Sequence, residues 1–262
     1  MILIKYGGHV LDNPENNKAI ISAIADFHKS GQRVVVVHGG GPAINEELRI
    51  HNVESEMVQG YRKTTPEVMD VVQQTLCGGV LRNLANSFIG CGVNAVGIST
   101  GDGSTLRAHK FAPSKDGVSV DIGLVGEPST VDPTFVNLLL DNGYLPVISP
   151  VAVQPNGQAL NINGDIAAGA IAGALEASEV LFITDVAGIY RNWPDPDSII
   201  TEISQQDLAA ISETFEDGMA PKVKAVLTAL SSGAKRARII DGTDIANLRA
   251  ALQGQGGTVV NA

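Results

Sequence analysis

Lys5 stands near the end of a short apolar run, Ile2–Tyr6, and Gly7 and Gly8 follow at once. That stretch pairs a mobile point charge with backbone free of side chains, so both can approach one ligand. A second glycine cluster, His38-Gly39-Gly40-Gly41-Pro42, lies between another apolar run and a helical pattern. It has neither the G-x-G-x-x-G spacing of dinucleotide sites nor the terminal G-K-[ST] of the P-loop. Its glycines still lead into a helix start, where free N–H groups and the helix dipole favour an anion. Taken alone, a plain tight turn explains it equally well. A third turn, Asp185-Val186-Ala187-Gly188, follows a third apolar run. Lys222, within DGMAPKVKA at 217–225, falls at a helix start, where the dipole disfavours a cation. It is either ordinary solvated surface or the partner of a phosphate. In NINGD at 161–165, Asn161 and Asp165 share one face if the segment is extended; alternatively Asn163 or Asp165 caps the helix that follows.

What accompanies these residues narrows the chemistry. The five histidines, at 9, 28, 38, 51 and 109, show no metal-ligand spacing. No G-x-S-x-G elbow and no cysteine-nucleophile pattern occurs. Lysines, backbone amides and an aspartate remain. Phosphoryl transfer asks for that equipment: positioning and charge stabilisation, with little acid–base chemistry when the acceptor is already ionised. The formal net charge of −10 argues against a nucleic-acid partner, and an anionic ligand would need positive charge placed locally, against the overall field. Cys77 and Cys91, in apolar helical surroundings, read as small buried hydrophobes in a reducing compartment. The longest apolar runs are too short or too rich in Gly and Ala to span a bilayer, and the start lacks a basic signal region. A cytoplasmic enzyme without a membrane partner is the expectation.

The elements that must position these residues alternate between strand-like and helical runs. Strands are predicted over 2–6, 33–38, 93–99, 145–149, 179–184, 237–240 and 258–260. Helices are predicted over 14–28, 42–50, 64–89 with an interruption at Gly78-Gly79, 133–142, 166–175, 204–211, 222–232 and 244–252. Residues 104–126 read as short strands and turns, and QPNGQ at 154–158 as a hairpin turn with Asn156-Gly157 in the tight position. Such βα alternation implies a mainly parallel sheet with helices on both faces and ligands at the carboxyl ends of its strands. The 262 residues suffice for one large domain or two compact lobes.

KYGG, VVHGGGPAIN, QGYRKTTPEVMDVV, DIGLVGE, NINGDIAAGAIAGAL, ITDVAGIY and DGMAPKVKA, in this order, resemble the amino acid kinase family over essentially the whole chain. YRNWPDPDSIITEIS further resembles actinobacterial members. The resemblance implies an α/β, three-layer αβα sandwich with an open, mainly parallel sheet. Residues 1–170 would bind an acyl amino acid and form a homodimer interface, and residues 171–262 would bind ATP. The branch of the family it is most similar to acts in arginine biosynthesis. There the γ-phosphoryl group of ATP, accompanied by Mg2+, passes to the side-chain carboxylate of N-acetyl-L-glutamate and gives an acyl phosphate. Carried over residue by residue, Lys5 and Lys222 match the lysines that stabilise the phosphoryl group in flight, and Asp165 the aspartate that holds them. Gly7 and Gly8 match a phosphate-contacting turn, Gly40 and Gly41 the amides that meet the acyl substrate. Arg62 matches its α-carboxylate partner, and Asn161 the side chain that grips the acylated amino acid. The nucleotide-binding segments correspond to Asp185, Gly188 and Tyr190, and to Thr214, Phe215 and Glu216. The metal has no direct protein ligand in this picture.

The chain departs from the family pattern at a few places. His9 follows the phosphate turn where members carry Asn or an aliphatic residue, Leu81-Arg82 replace an Asn-Lys pair, and Gly164 stands where Ala is usual. These differences keep two other expectations open: a kinase of another carboxylate, such as an aminoadipate or acyl-glutamate derivative, and a non-catalytic nucleotide-binding protein. Arginine-inhibited members carry an extra N-terminal helix before the first strand, and its absence from this sequence leads us to expect a dimer insensitive to arginine. A PII-type regulator is left open.

Overall fold

The computed structural model describes residues 1–7, 14–115, 118–215 and 219–262. At its centre is an eight-stranded sheet. In spatial order its strands are Glu202–Ser204, Thr258–Asn261, Arg236–Asp241, Glu179–Thr184, Ile2–Tyr6, Val34–His38, Leu145–Ser149 and Ala95–Ser99. Every neighbouring pair is parallel except Arg236–Asp241 with Thr258–Asn261. Val34 to Val37 are all fully buried, which explains why this strand reads as an unbroken apolar run: helices cover both faces.

Alternation along the strands divides the core in two. Ile2, Ile4, Tyr6, Val34 and Val36 pack in one apolar layer with residues of helices Pro14–Lys29, Leu81–Gly90 and Ile245–Leu252. Leu3, Val35, Val37, Val180 and Phe182 face the other way, against helices Gly164–Ala174 and Ala220–Ser231. This is the expected αβα sandwich. Because side chains alternate with a period of two, Lys5 lies on the second face and Tyr6 and His38 on the first.

The two helices of the second layer lie unusually close. A Cβ on Gly169 would stand 2.4 Å from Ala229 Cα, and one on Gly173 would stand 2.1 Å from Ser232 O. Glycines four apart on one helical face therefore let the backbones meet. The Gly/Ala-rich composition of this helix is the packing solution that lets the end of Ala220–Ser231 lie directly against it. The division expected at 170/171 passes through Gly164–Ala174, a helix that touches strands Ile2–Tyr6, Val34–His38 and Glu179–Thr184.

The interruption expected at Gly78-Gly79 takes a specific form. Pro66–Gln73 and Leu81–Gly90 are joined without a break by a π-helical segment, Gln74–Val80. Val68, Val72 and Leu76 belong to the second core layer, whereas Leu81, Leu84 and Phe88 belong to the first. The wide turn occurs where the buried stripe changes partners, and glycines relax that turn at little steric cost. Leu81 is itself core, and a Cβ on Gly97 would lie 3.1 Å from its Cγ.

Beyond the end of Leu145–Ser149, strands Val151–Val153, Ala159–Ile162, Val125–Val131 and Leu106–Lys110 close a small barrel. The Asn156-Gly157 turn joins its first two, with Gly157 at φ +85°. A short hairpin not anticipated from the sequence, Met57–Val58 with Tyr61–Arg62, projects nearby.

Candidate active site

Lys5 and Asp165 form the centre of the site. Lys5 Nζ lies 2.8 Å from Asp165 Oδ1, with the two side chains 17% and 26% exposed. Partial burial makes this pair stronger than a surface ion pair. Asp165 sits in the first turn of Gly164–Ala174, where the helix dipole favours a carboxylate. The cap of that helix is Asn163, whose Oδ1 accepts from the N–H of Asp165 (2.8 Å) and of Ile166 (3.3 Å). The alternatives open for NINGD thus resolve into separate jobs: Asn163 caps, Asp165 pairs with Lys5, and Asn161 turns into the cleft.

That cleft, about 300 Å³, is lined by Lys5, Gly39 to Gly41, Arg62, Asn161 and Asp165, with Ile44, Leu76, Val125 and Ile162 as an apolar wall. The structure therefore brings together six of the residues singled out: Lys5, Asp165, Gly40, Gly41, Arg62 and Asn161. Arg62 is half-buried, which lowers its pKa from the ordinary value, and its guanidinium donates to Asn45 Oδ1. Asn161 Nδ2 donates to Thr64 Oγ1 at 3.2 Å, and Thr64 in turn donates to Arg62 O at 2.7 Å. Thr64, Asn45 and Leu76 are thus part of the site although their types carry no chemical signal in the sequence. Only their place within QGYRKTTPE and HGGGPAIN pointed to the first two.

The DIGLVGE stretch acts through backbone. Gly123 adopts φ +76°, and a Cβ there would lie 2.2 Å from Thr64 O. Leu124 N–H donates to Thr64 O, and Asn161 N–H donates to Leu124 O. Threaded this way, residues 64, 124 and 161 hold one another in register at the cleft wall.

Lys222 does not line this cleft. It lies in the first turn of Ala220–Ser231 and pairs with Asp185, the residue just after strand Glu179–Thr184, at 3.0 Å. The ion pairs seen thus associate Asp165 with Lys5 and Asp185 with Lys222, where the sequence led us to expect Asp165 to serve both lysines. The carboxylate of Asp185 offsets the unfavourable position of a cation at a helix start.

The remaining nucleotide-segment residues have varied surroundings. Gly188 is buried, and a Cβ there would stand 2.3 Å from Thr258 Oγ1, so packing alone demands glycine. Tyr190 pairs in a short ladder with Ile199 and meets the ring of Trp193 edge-on at 5.1 Å. Thr214 donates its hydroxyl to Ile211 O, and Phe215 is buried core. Gly7 follows the end of the first strand; Gly8, His9 and Glu216 lie outside the described residues. At Gly164 a Cβ would find its nearest neighbours at 3.6 Å or more, ordinary contact, so the departure from Ala there leaves the site's shape unchanged. Cys77 and Cys91 are free; burial raises the Cys77 thiol, whose sulfur lies 3.2 Å from Ser149 Oγ. Among the described residues no helix is long and apolar enough to cross a membrane, and no cluster of His, Cys, Asp and Glu is arranged to hold a metal.

Comparison with known proteins agrees with this fold. An acetylglutamate kinase of Pseudarthrobacter chlorophenolicus is 44% identical over 92% of this chain and 80% of its own length. One of Kineococcus radiotolerans is also 44% identical, over 92% of this chain and 83% of its own length. Among solved structures, an N-acetylglutamate synthase from Neisseria gonorrhoeae superposes with a TM-score of 0.83 at 22% identity; all of this chain is covered, and it spans 59% of that one. A carbamate kinase from Giardia lamblia bound to AMP-PNP superposes with a TM-score of 0.70 at 20% identity, covering 99% and 97% of the two chains. These structural likenesses speak for the fold alone. The description "Amino acid kinase family" matches residues 1–241, and with relatives this similar over nine-tenths of its length the chain belongs to the amino acid kinase family.

Proposed function

We propose that this protein transfers the γ-phosphoryl group of ATP to the side-chain carboxylate of N-acetyl-L-glutamate. The observation that carries the reading is the cleft in which Lys5, Asp165, the Gly40–Gly41 backbone, Arg62 and Asn161 converge. The two relatives named acetylglutamate kinase support it.

The chemistry follows from charge. An acceptor carboxylate is ionised at neutral pH, so it needs no general base. The barrier lies in bringing two anions together, and Lys5 and the glycine N–H groups oppose that repulsion in a partly buried cleft. Arg62 suits the α-carboxylate, through the planar fork of its guanidinium. Asn161 suits the amide of the acyl group, and Leu76, Val125 and Ile162 make an apolar wall for its methyl. Lys222, with Asp185, would meet the phosphates from the other side, together with Gly7, Gly8, Tyr190 and residues 214–216. Mg2+ enters as part of the nucleotide substrate. Both site aspartates already face lysines, which fits a metal held chiefly by phosphate oxygens. In this reading residues 1–170 serve the acceptor and residues 171–262 the nucleotide, and the protein works as a homodimer.

An ATP-dependent hydroxamate assay over N-acetyl-L-glutamate, glutamate, aspartate, aminoadipate and carbamate tests the reading. Turnover is expected with N-acetyl-L-glutamate foremost. Turnover confined to another acceptor would overturn the substrate, and ATP binding without any turnover would overturn the activity. Light scattering after gel filtration tests the dimer.

A further inference from the structure

His38 ends the strand that leads into the glycine cluster, and its side chain is fully buried. Its Nδ1 lies 2.7 Å from the carbonyl oxygen of Gly39. A carbonyl only accepts, so Nδ1 carries a proton, and full burial disfavours the charged ring, which leaves Nε2 unprotonated. Nε2 is buried too and has no hydrogen-bond partner among the described residues. The ring therefore makes one polar contact there, with the peptide that joins Gly39 to Gly40.

That contact has a directional consequence. The only cis bond among the described residues is Trp193–Pro194, so the Gly39–Gly40 peptide is trans. In a trans peptide the C=O and N–H point in opposite directions. His38 shares its sheet face with Val36 and Tyr6, away from Lys5. Drawing Gly39 O towards that face turns the Gly40 N–H towards the other, where Lys5 and Asp165 lie. Gly164 marks how close the two parts are: a Cβ there would be 3.7 Å from Lys5 Cε and 3.8 Å from Gly39 Cα. Glycine-rich backbone has little rotational preference of its own, so an outside group must choose the orientation of this peptide.

We propose that His38 is a positioning residue, which fixes the Gly39–Gly40 peptide through Nδ1 and thereby aims the Gly40 N–H at the acceptor anion. The proposal rests on reading the cleft as the acceptor site. Asn and Gln separate the two ring nitrogens: an Asn amide places a donor where Nδ1 stands, whereas a Gln amide reaches the position of Nε2.

The experiment uses the full-length enzyme. In long-range ¹H–¹⁵N spectra of the wild type, the His38 ring should show a protonated Nδ1 and a bare Nε2 throughout pH 5.5–8. The Gly40 amide resonance should move on addition of N-acetyl-L-glutamate, and in His38→Gln that movement should shrink. His38→Asn should keep kcat/KM for N-acetyl-L-glutamate within about 3-fold of wild type, while His38→Gln loses about 10- to 100-fold with KM for ATP unchanged. A ring protonated on Nε2, equal losses in the two variants, or a loss that follows thermal stability alone would overturn the proposal. If wild type fails to use N-acetyl-L-glutamate, the functional reading fails by itself. The ring tautomer and the Gly40 response to inorganic phosphate then still decide the role of His38: the Nε2–H form or an unresponsive amide overturns it.

Discussion

Leu76, in the π-helical segment, occupies the space that a side chain on Gly40 would need: a Cβ there would lie 2.5 Å from Leu76 Cδ2. The wide turn of the long helix and the glycine cluster of the second strand are thus two halves of one wall. The Leu76 side chain alone is enough to require glycine at this position. Gly40→Ala is expected to push Leu76 towards the cleft and raise KM for the acceptor, and Leu76→Ala in the same chain should restore part of it. A double-mutant cycle on KM measures this, and strict additivity would disprove the contact.

Lys5 and Asp165 act as a unit. Lys5→Ala removes the charge, and a kcat reduced by about 10²- to 10⁴-fold is expected, with the fold intact by circular dichroism. Asp165→Asn leaves the lysine without its tether and should lower kcat by a smaller factor. Combining the two should cost little more than Lys5→Ala alone, because the aspartate works through the lysine.

Arg62→Ala should weaken binding of the acceptor and spare the nucleotide. Loss of a charge-assisted pair of about 1.5–3 kcal/mol corresponds to a KM higher by roughly 10- to 150-fold. Steady-state kinetics in each substrate separates the outcomes. An equal rise in KM for ATP would place Arg62 elsewhere in the mechanism.

The helix contact at Gly169 is a backbone meeting, with no flexible side chain able to move aside. Gly169→Ala forces the two helices apart and is expected to destabilise by about 1–3 kcal/mol, or roughly 2–4 °C in Tm per kcal/mol for a chain of this size. Since Ala220–Ser231 carries Lys222, kcat should fall as well. A variant with unchanged Tm and kcat would show that the helices are not in contact there.

Burial lowers the pKa of His38 to about 4, and its bond to Gly39 opposes that shift only in part. The unfolded chain takes up this proton near pH 6.5. Between these values the unfolded state binds the extra proton, so stability falls as the pH drops from 6.5 to about 4, by roughly 3 kcal/mol in all. Urea titrations across this range should show the slope, and His38→Asn should flatten it.

Local pattern carried a large part of this structure. The alternation of apolar runs and helical periods placed seven of the eight strands of the central sheet, missing Glu202–Ser204, and their order along the chain, since each run is decided by residues two to four apart. The Asn156-Gly157 turn was equally readable, because a tight hairpin depends on two residues. The ends of the helices shifted by a residue or two where a cap decides them: Ser204 and Asp244 stand just outside their helices as caps. Hairpin Met57–Arg62 was not legible, since two-residue strands have no periodicity to detect.

Lys5, Asp165, Gly40, Gly41, Asn161 and Lys222 stood out in the amino-acid sequence by itself, as did the anionic character of what they would bind, whereas Arg62 stood out only through the family resemblance. Sequence determines chemistry of this kind because charge and backbone freedom belong to single residues. Which carboxylate meets which lysine was decided only by the tertiary structure. Lys5 and Asp165 are 160 positions apart and Lys222 and Asp185 are 37 apart; their pairing depends on which strand ends and helix starts the sheet order places side by side. The same holds for Leu76 against Gly40 and Gly169 against Ala229, where no residue announces its partner and van der Waals contact exists only after the layers have packed.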